Sequence, residues 1–448
     1  MLNIRAAAGV LCVGLCAFQL MESLHPAAAA EPLGVVHPAL GRLSDAERVA
    51  GWRPLFDGRT GNGWRGYRKD SFPSKGWTVD PDGVLRSAPG GGGGDLITVE
   101  QFGDFELSLE YRTAPKANSG VMYRVTERHD TPWQSGPECQ VIDDAGNSLD
   151  PTNPHSAGAL YDLATPAEGK VVKPAGEWNH LRIRLHHGVV QHWLNDRKVV
   201  ECRVDDDAWG AKIAASKFKV YEGFGLAARG HLAIQDHGDE VSYRNIFVRD
   251  LDAPMAGETA LFNGTDTDGW EACTPGLTSK GEDPKSIWKV EEGVLQTLGS
   301  PAGYIYTAGE YTNYVLKLEW RFSPVTKKAG NSGVLLRRIG EHTVWPRSVE
   351  AQLQSGAAGD FWNIGEFAMK TEPARLNGRN TKATGVAERP IGEWNEYEIH
   401  VAHDRVRLFV NGELLNEAWD VAEVAGNICL QSEGAEIHFR RIRLAPVP

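Results

Sequence analysis

Six cysteines in 448 residues leave little room for cysteine chemistry, and Cys12 and Cys16 fall in the N-terminal stretch. No Cys-x-x-Cys or His-x-His spacing occurs, so metal ligation is only weakly signalled; His186-His187 and His192 read by default as surface histidines. Basic clusters are missing as well. The formal charge is −12, which disfavours nucleic acid as a partner. After Ala6 to Leu20 no apolar run could span a bilayer. There is no Gly-x-Ser-x-Gly elbow, phosphate-binding loop or dinucleotide fingerprint, and hence no evident cofactor. A divalent metal stays open, without a ligand set. Helical periodicity is scarce, and no protein partner is evident.

What is present is written twice. Leu55-Phe56-Asp57-Gly58 with Gly63-Trp64 returns as Leu261-Phe262-Asn263-Gly264 with Gly269-Trp270. Asn118-Ser119-Gly120-Val121 returns as Asn331-Ser332-Gly333-Val334, and Glu138-x-Gln140 as Glu350-x-Gln352. Gly176-Glu177-Trp178-Asn179 returns as Gly392-Glu393-Trp394-Asn395. The unit is far longer than the roughly 20–50 residues of a solenoid repeat, and has the size of one large all-β domain. Arg5, the apolar run and Ala28-Ala29-Ala30 predict a signal peptide over residues 1–30, and so an exported, periplasmic or extracellular protein. The domains expected are residues 45–252 and 258–448. An oxidising compartment permits one disulfide per domain, but Cys139 and Cys202 do not correspond in position to Cys273 and Cys429. Buried free thiols stand beside that reading.

Strand periodicity dominates both copies. Phe105, Leu107, Leu109 and Tyr111 alternate with Glu106, Ser108, Glu110 and Arg112; Leu181, Ile183 and Leu185 alternate with Arg182, Arg184 and His186. Asn411-Gly412 marks a hairpin. These signals predict an all-β protein of two tandem sandwich or jelly-roll domains. The run Gly90 to Gly94 reads as a mobile loop, because ordering five glycines is costly. Assigned by alternation, Arg124 shares a face with Gly120 and Met122, Glu138 with Gln140, and Gln235 with His237. Together they would line one concave sheet surface as a sugar cleft of donors, acceptors and titratable groups. The competing reading is a solvated outer sheet face.

The ordered motifs, from Leu-Phe-Asp-Gly through Asn118-Ser119-Gly120-Val121, Glu138-x-Gln140, Gly158-Ala159-Leu160-Tyr161 and Gly176-Glu177-Trp178-Asn179 to Gln235-Asp236-His237-Gly238, resemble the 3-keto-disaccharide hydrolase family. The resemblance spans both copies. It implies a concanavalin A-like lectin/glucanase jelly roll and cleavage of 3-keto-glycosides by C2 deprotonation, β-elimination of the C1 aglycone and hydration. The family supplies motif positions; residue chemistry supplies the roles. On that basis Arg124, Glu138 and His237 are the expected catalytic groups. Gln140, Asp143, Tyr161 and Gln235 are the expected substrate contacts. In the second copy the corresponding contacts are Arg337, Glu350, Gln352, Asp360 and Trp362, although a core position also suits that tryptophan. Gln431-Ser432-Glu433-Gly434 there replaces the histidine motif, so the second copy either binds without cleaving or takes a different glycoside. Two rival functions remain: a non-catalytic carbohydrate-binding protein, and a glucanase that acts on unoxidised glycans through Glu138 and Asp143.

Overall fold

The computed structural model describes residues 42–448; the expected signal peptide lies outside the described residues. Nearly all the regular structure described is antiparallel β, arranged as two tandem jelly-roll sandwiches. In the first, an eight-stranded sheet faces a five-stranded one. The large sheet runs from Arg197–Arg203 through Val189–Leu194, Asn179–His186, Phe105–Thr113, Val241–Asp250 and Leu85–Ser87 to Trp77–Val79. The small sheet orders Trp64–Gly66, Leu96–Thr98, His231–Ile234, Asn118–Val125 and Glu138–Ile142. The second sandwich pairs sheets of nine and eight strands. No helix among the described residues is long and apolar enough to cross a membrane.

The alternating apolar residues meet between the sheets. Leu107, Leu109, Tyr111, Leu181, Ile183 and Leu185 pack with Val121, Tyr123, Cys139 and Val141 in one core, and the second copy repeats the arrangement. Several repeated motifs hold this frame together. The indole Nε1 of Trp64 donates to Leu55 O at 2.9 Å, and that of Trp270 to Leu261 O at 2.7 Å. The side chain of Asp57, or of Asn263, accepts main-chain N–H groups of the intervening turn. Trp178 lies under the guanidinium groups of Arg112 and Arg244, and Trp394 under those of Arg321 and Arg440. All four described cysteines are free, and Cys139, Cys273 and Cys429 are buried.

The polar faces of the large sheets, which carry Glu106, Arg182 and Arg184, are not open to water. They press against the other sandwich. Arg249 bridges Glu106 at 2.6 Å and Glu398 of the second copy at 2.8 Å, with all three nearly inaccessible. Arg184 reaches Glu396 at 3.0 Å, and Arg182 donates to Gly412 O at 2.7 Å. The short helix Asp45–Val49 wedges Ala46 and Val49 against Val315, Ala445 and Val447, adding an apolar seam.

Candidate active site

The outer face of the small sheet carries Glu138, placed there by register. In the pairing of Asn118–Val125 with Glu138–Ile142, Gly120 opposes Gln140 and Met122 opposes Glu138. The carboxylate folds back over Gly120, so a Cβ at that glycine would collide with Glu138 Oε1. The repeated Asn-Ser-Gly-Val motif is thereby explained: its serine hydroxyl donates to the carbonyl of Gln235 at 2.6 Å, and its glycine leaves room for the glutamate. Ser332 and Gly333 do the same for Gln431 and Glu350.

Burial pushes the Glu138 carboxyl up to about 8; Asp95 reinforces the shift and Lys217 opposes it. Asp95, just before the strand Leu96–Thr98 of the same sheet, is itself raised to about 6, by burial first. Lys217 Nζ stands 4.3 Å from the Tyr161 ring centroid and 5.3 Å from those of Trp133 and Phe218. Tyr161 adjoins the glutamate through its main chain, donating its N–H to Glu138 O at 2.9 Å, and stacks on His155 at 4.5 Å. Asp95 and Lys217 were not picked out from the sequence. Comparing the copies outside their shared motifs finds both: Tyr304 takes the strand position of Asp95, and Lys217 lies in a segment (204–230) that the second copy shortens to 420–426.

The structure corrects the face assigned to Arg124. Register shifts between His231 and Ala233 of the neighbouring strand, and Arg124 adopts a left-handed φ of 55°. This bulge resets the alternation, so Met122 and Val125 share the outer face and Arg124 leaves it. Its guanidinium donates instead to Gly225 O at 3.1 Å. Arg337 repeats the bulge with φ 49°; buried, it binds the carbonyls of Thr312, Ala422 and His403. Both arginines brace loops.

Asp143 is likewise drawn away from Glu138, its carboxylate accepting Lys116 N–H at 2.8 Å. Gln140 spends its amide on His155 O and Val141 N, and Gln352 Oε1 accepts from Leu353 and Gln354. Both carboxylate oxygens of Asp360 are engaged, by Ala383 N and Asn380 Nδ2. Gln235 anchors its main chain on Gly120 O, and His237 is exposed, its Nδ1 3.8 Å from Asp239. In the position of His237 the second copy has Glu433, which lies in a cleft with Glu350, Gln352 and Trp362. Trp362 is half-buried and lines that cleft, where a core position had also been considered. It pairs with Glu350 across strands, as Tyr161 adjoins Glu138.

The glycine run is tethered rather than slack: Gly93 and Gly94 donate their N–H groups to Asp236 Oδ2 at 3.1 and 2.9 Å. Nor are His186 and His192 surface residues. His192 is buried between Tyr123 OH and Gly158 O. Asp104, His186 and His187 place potential metal-ligand atoms within 4.8 Å of one another. They lie at the junction of the two sandwiches, where His186 already contacts Asp104 at 3.0 Å and Glu396 at 2.7 Å. That pairing suits an ion-pair network as well as a metal.

Comparison with known proteins follows the same division. The profile of the 3-keto-alpha-glucoside-1,2-lyase-like domain matches twice, over residues 51–249 and 257–445. A 3-keto-disaccharide hydrolase of Bacteroides thetaiotaomicron is 36% identical over 231 residues, 45% of this chain and 79% of that protein. A provisionally assigned glycosyl hydrolase of Parabacteroides distasonis is 30% identical, covering 47% of this chain and 98% of its own, with a TM-score of 0.43. The β-glucanase of Bacillus licheniformis is 11% identical, covers 42% of this chain and 98% of its own, and has a TM-score of 0.31.

Proposed function

Because the chain belongs to the 3-keto-alpha-glucoside-1,2-lyase-like domain family, we propose that it is an exported carbohydrate-active enzyme whose first sandwich cleaves 3-keto-glycosides at Glu138. A ketone at sugar C3 acidifies the C2 proton. Ionised Glu138 removes that proton, and the electron pair passes to the C3 oxygen, where Lys217 meets the enolate charge. When the carbonyl re-forms, the C1 aglycone leaves with a proton from His237, giving a C1–C2 double bond. Water then adds across that bond, hydroxide to C1 and a proton to C2, so the net change is hydrolysis. The observation that carries this reading is the buried Glu138 carboxyl beside the Lys217 ammonium, raised to about 8, close to where a general base works best at neutral pH.

Glu138→Gln keeps the shape and removes the base. Turnover of a 3-keto-glucoside by the full chain should fall by about 10²–10⁴, with a melting temperature no lower than that of the wild type. A wild-type rate in this variant refutes the site. Since the base must be ionised, kcat/KM should rise about tenfold per pH unit below about 8 and level off above it. A profile that falls with pH would instead make Glu138 the acid. Export is tested separately: mass spectrometry finding Met1 or Arg5 on the mature N-terminus would refute it.

A further inference from the structure

The second sandwich keeps the glutamate-over-glycine arrangement and changes what surrounds it. Its cleft of about 360 Å³ is lined by Trp345, Trp362, Glu350, Gln352 and Glu433, with Arg379 exposed at the rim. That volume lies within the roughly 300–1,000 Å³ of small-molecule sites. The segment that delivers Lys217 in the first copy is reduced to residues 420–426, so no equivalent cation is delivered. Tyr304 stands for Asp95, and Glu433 for His237. Burial and the neighbouring Glu433 together push Glu350 up to about 8.

The polar wall is built and left open. Gln431 is 2% exposed, yet its Oε1, which lies over Gly333 beside Glu350, has no hydrogen-bond partner. Asn331 Oδ1, also in the cleft, is buried without one. Glu433 is held by hydrogen bonds from the side chains of Trp345 and Asn331. Buried acceptors without donors are costly, and sugar hydroxyls are donors of the right kind. Trp345, 58% exposed, and half-buried Trp362 offer apolar ring surface to the C–H face of a pyranose.

We propose that this cleft is a second saccharide site, which holds a neutral, unoxidised sugar without cleaving it. The Glu433 carboxylate in the cleft disfavours uronates and sulfated sugars. With no lysine ammonium delivered above it to meet an enolate, Glu350 lacks the partner that elimination needs. The chain thus retains glycan in one sandwich and cuts in the other. The inference takes the carbohydrate class from the family and does not depend on 3-keto chemistry.

The test is calorimetric titration of the full chain with cellobiose, maltose and trehalose. At least one should bind saturably. Trp362→Ala and Trp345→Ala should each weaken that binding about tenfold or more, while Glu138→Gln leaves it unchanged. Glu433→Gln, which preserves the fold at a partly exposed position, should also weaken it. Turnover of a 3-keto-glucoside should be unaffected in both tryptophan variants and in Glu350→Gln. Absence of binding by all three disaccharides overturns the proposal, as does binding lost in Tyr161→Ala but kept in the tryptophan variants. Loss of turnover in Glu350→Gln overturns the non-cleaving assignment. Disaccharide binding that persists where no 3-keto-glucoside is turned over sinks the reading of the first sandwich alone.

Discussion

Gly120 and Glu138 form one functional unit, and neither is interpretable without the other. The φ at Gly120 is not left-handed, so alanine is acceptable to the backbone, but its Cβ would displace the carboxylate. Gly120→Ala should therefore lower 3-keto-glucoside turnover by more than tenfold while shifting the melting temperature by only a few degrees. Unchanged turnover in a folded Gly120→Ala protein would show that the carboxylate need not lie there. Glu138 also carries a stability signature. Its carboxyl sits near 4.5 when unfolded and about 8 when folded, so the folded state holds the proton more tightly. Stability is thus lost as pH rises from about 4.5 towards 8, where the native state must begin to bury a charge. Glu138→Gln removes that loss. Its melting temperature relative to wild type should increase between pH 5 and pH 9, as read by calorimetry, and a difference that does not change with pH would contradict it.

At the scale of elements, the segment over residues 204–230 distinguishes the two copies. Asp206 caps the helix Asp207–Ala215 through its carboxylate, and Ser216 caps the following turn, Lys217–Val220. Trp209, Phe218 and Phe224 bury themselves in the first core, fixing the turn against the edge strand. Lys217 is left exposed above Tyr161, as befits a group that meets substrate. Lys217→Met should cut kcat by about 10²–10³, the usual cost of one oxyanion donor, and Lys217→Arg should retain part of the rate. Equal rates in Lys217→Met and wild type would remove the ammonium from the mechanism.

Over the whole molecule, the two sandwiches share a buried ionic seam centred on Arg249. Removing one partner leaves Glu106 and Glu398 unpaired in a site that excludes water. Arg249→Ala should cost about 3–5 kcal/mol, measured by urea unfolding. Since the seam and the Asp45–Val49 wedge tie both copies together, wild-type unfolding should be one cooperative transition. Two resolved transitions, with the Arg249 variant no less stable, would show the seam to be energetically slight.

The sequence by itself determined the all-β class and the duplication, because period-two alternation and repeated turn residues are local signals. Alternation also located Glu138 correctly beside Gly120. It failed at Arg124, since one bulge reverses every face beyond it and a bulge leaves no mark in polarity. It is silent on Glu106, Arg182 and Arg184, whose polar stripe reads the same whether it meets water or a second sandwich. Asp95 and Lys217 reach Glu138 from separate parts of the chain, 43 residues before it and 79 after. Only tertiary packing brings those three together, because burial and neighbouring charge, which set the glutamate's protonation, are properties of the assembled sheets and not of any segment.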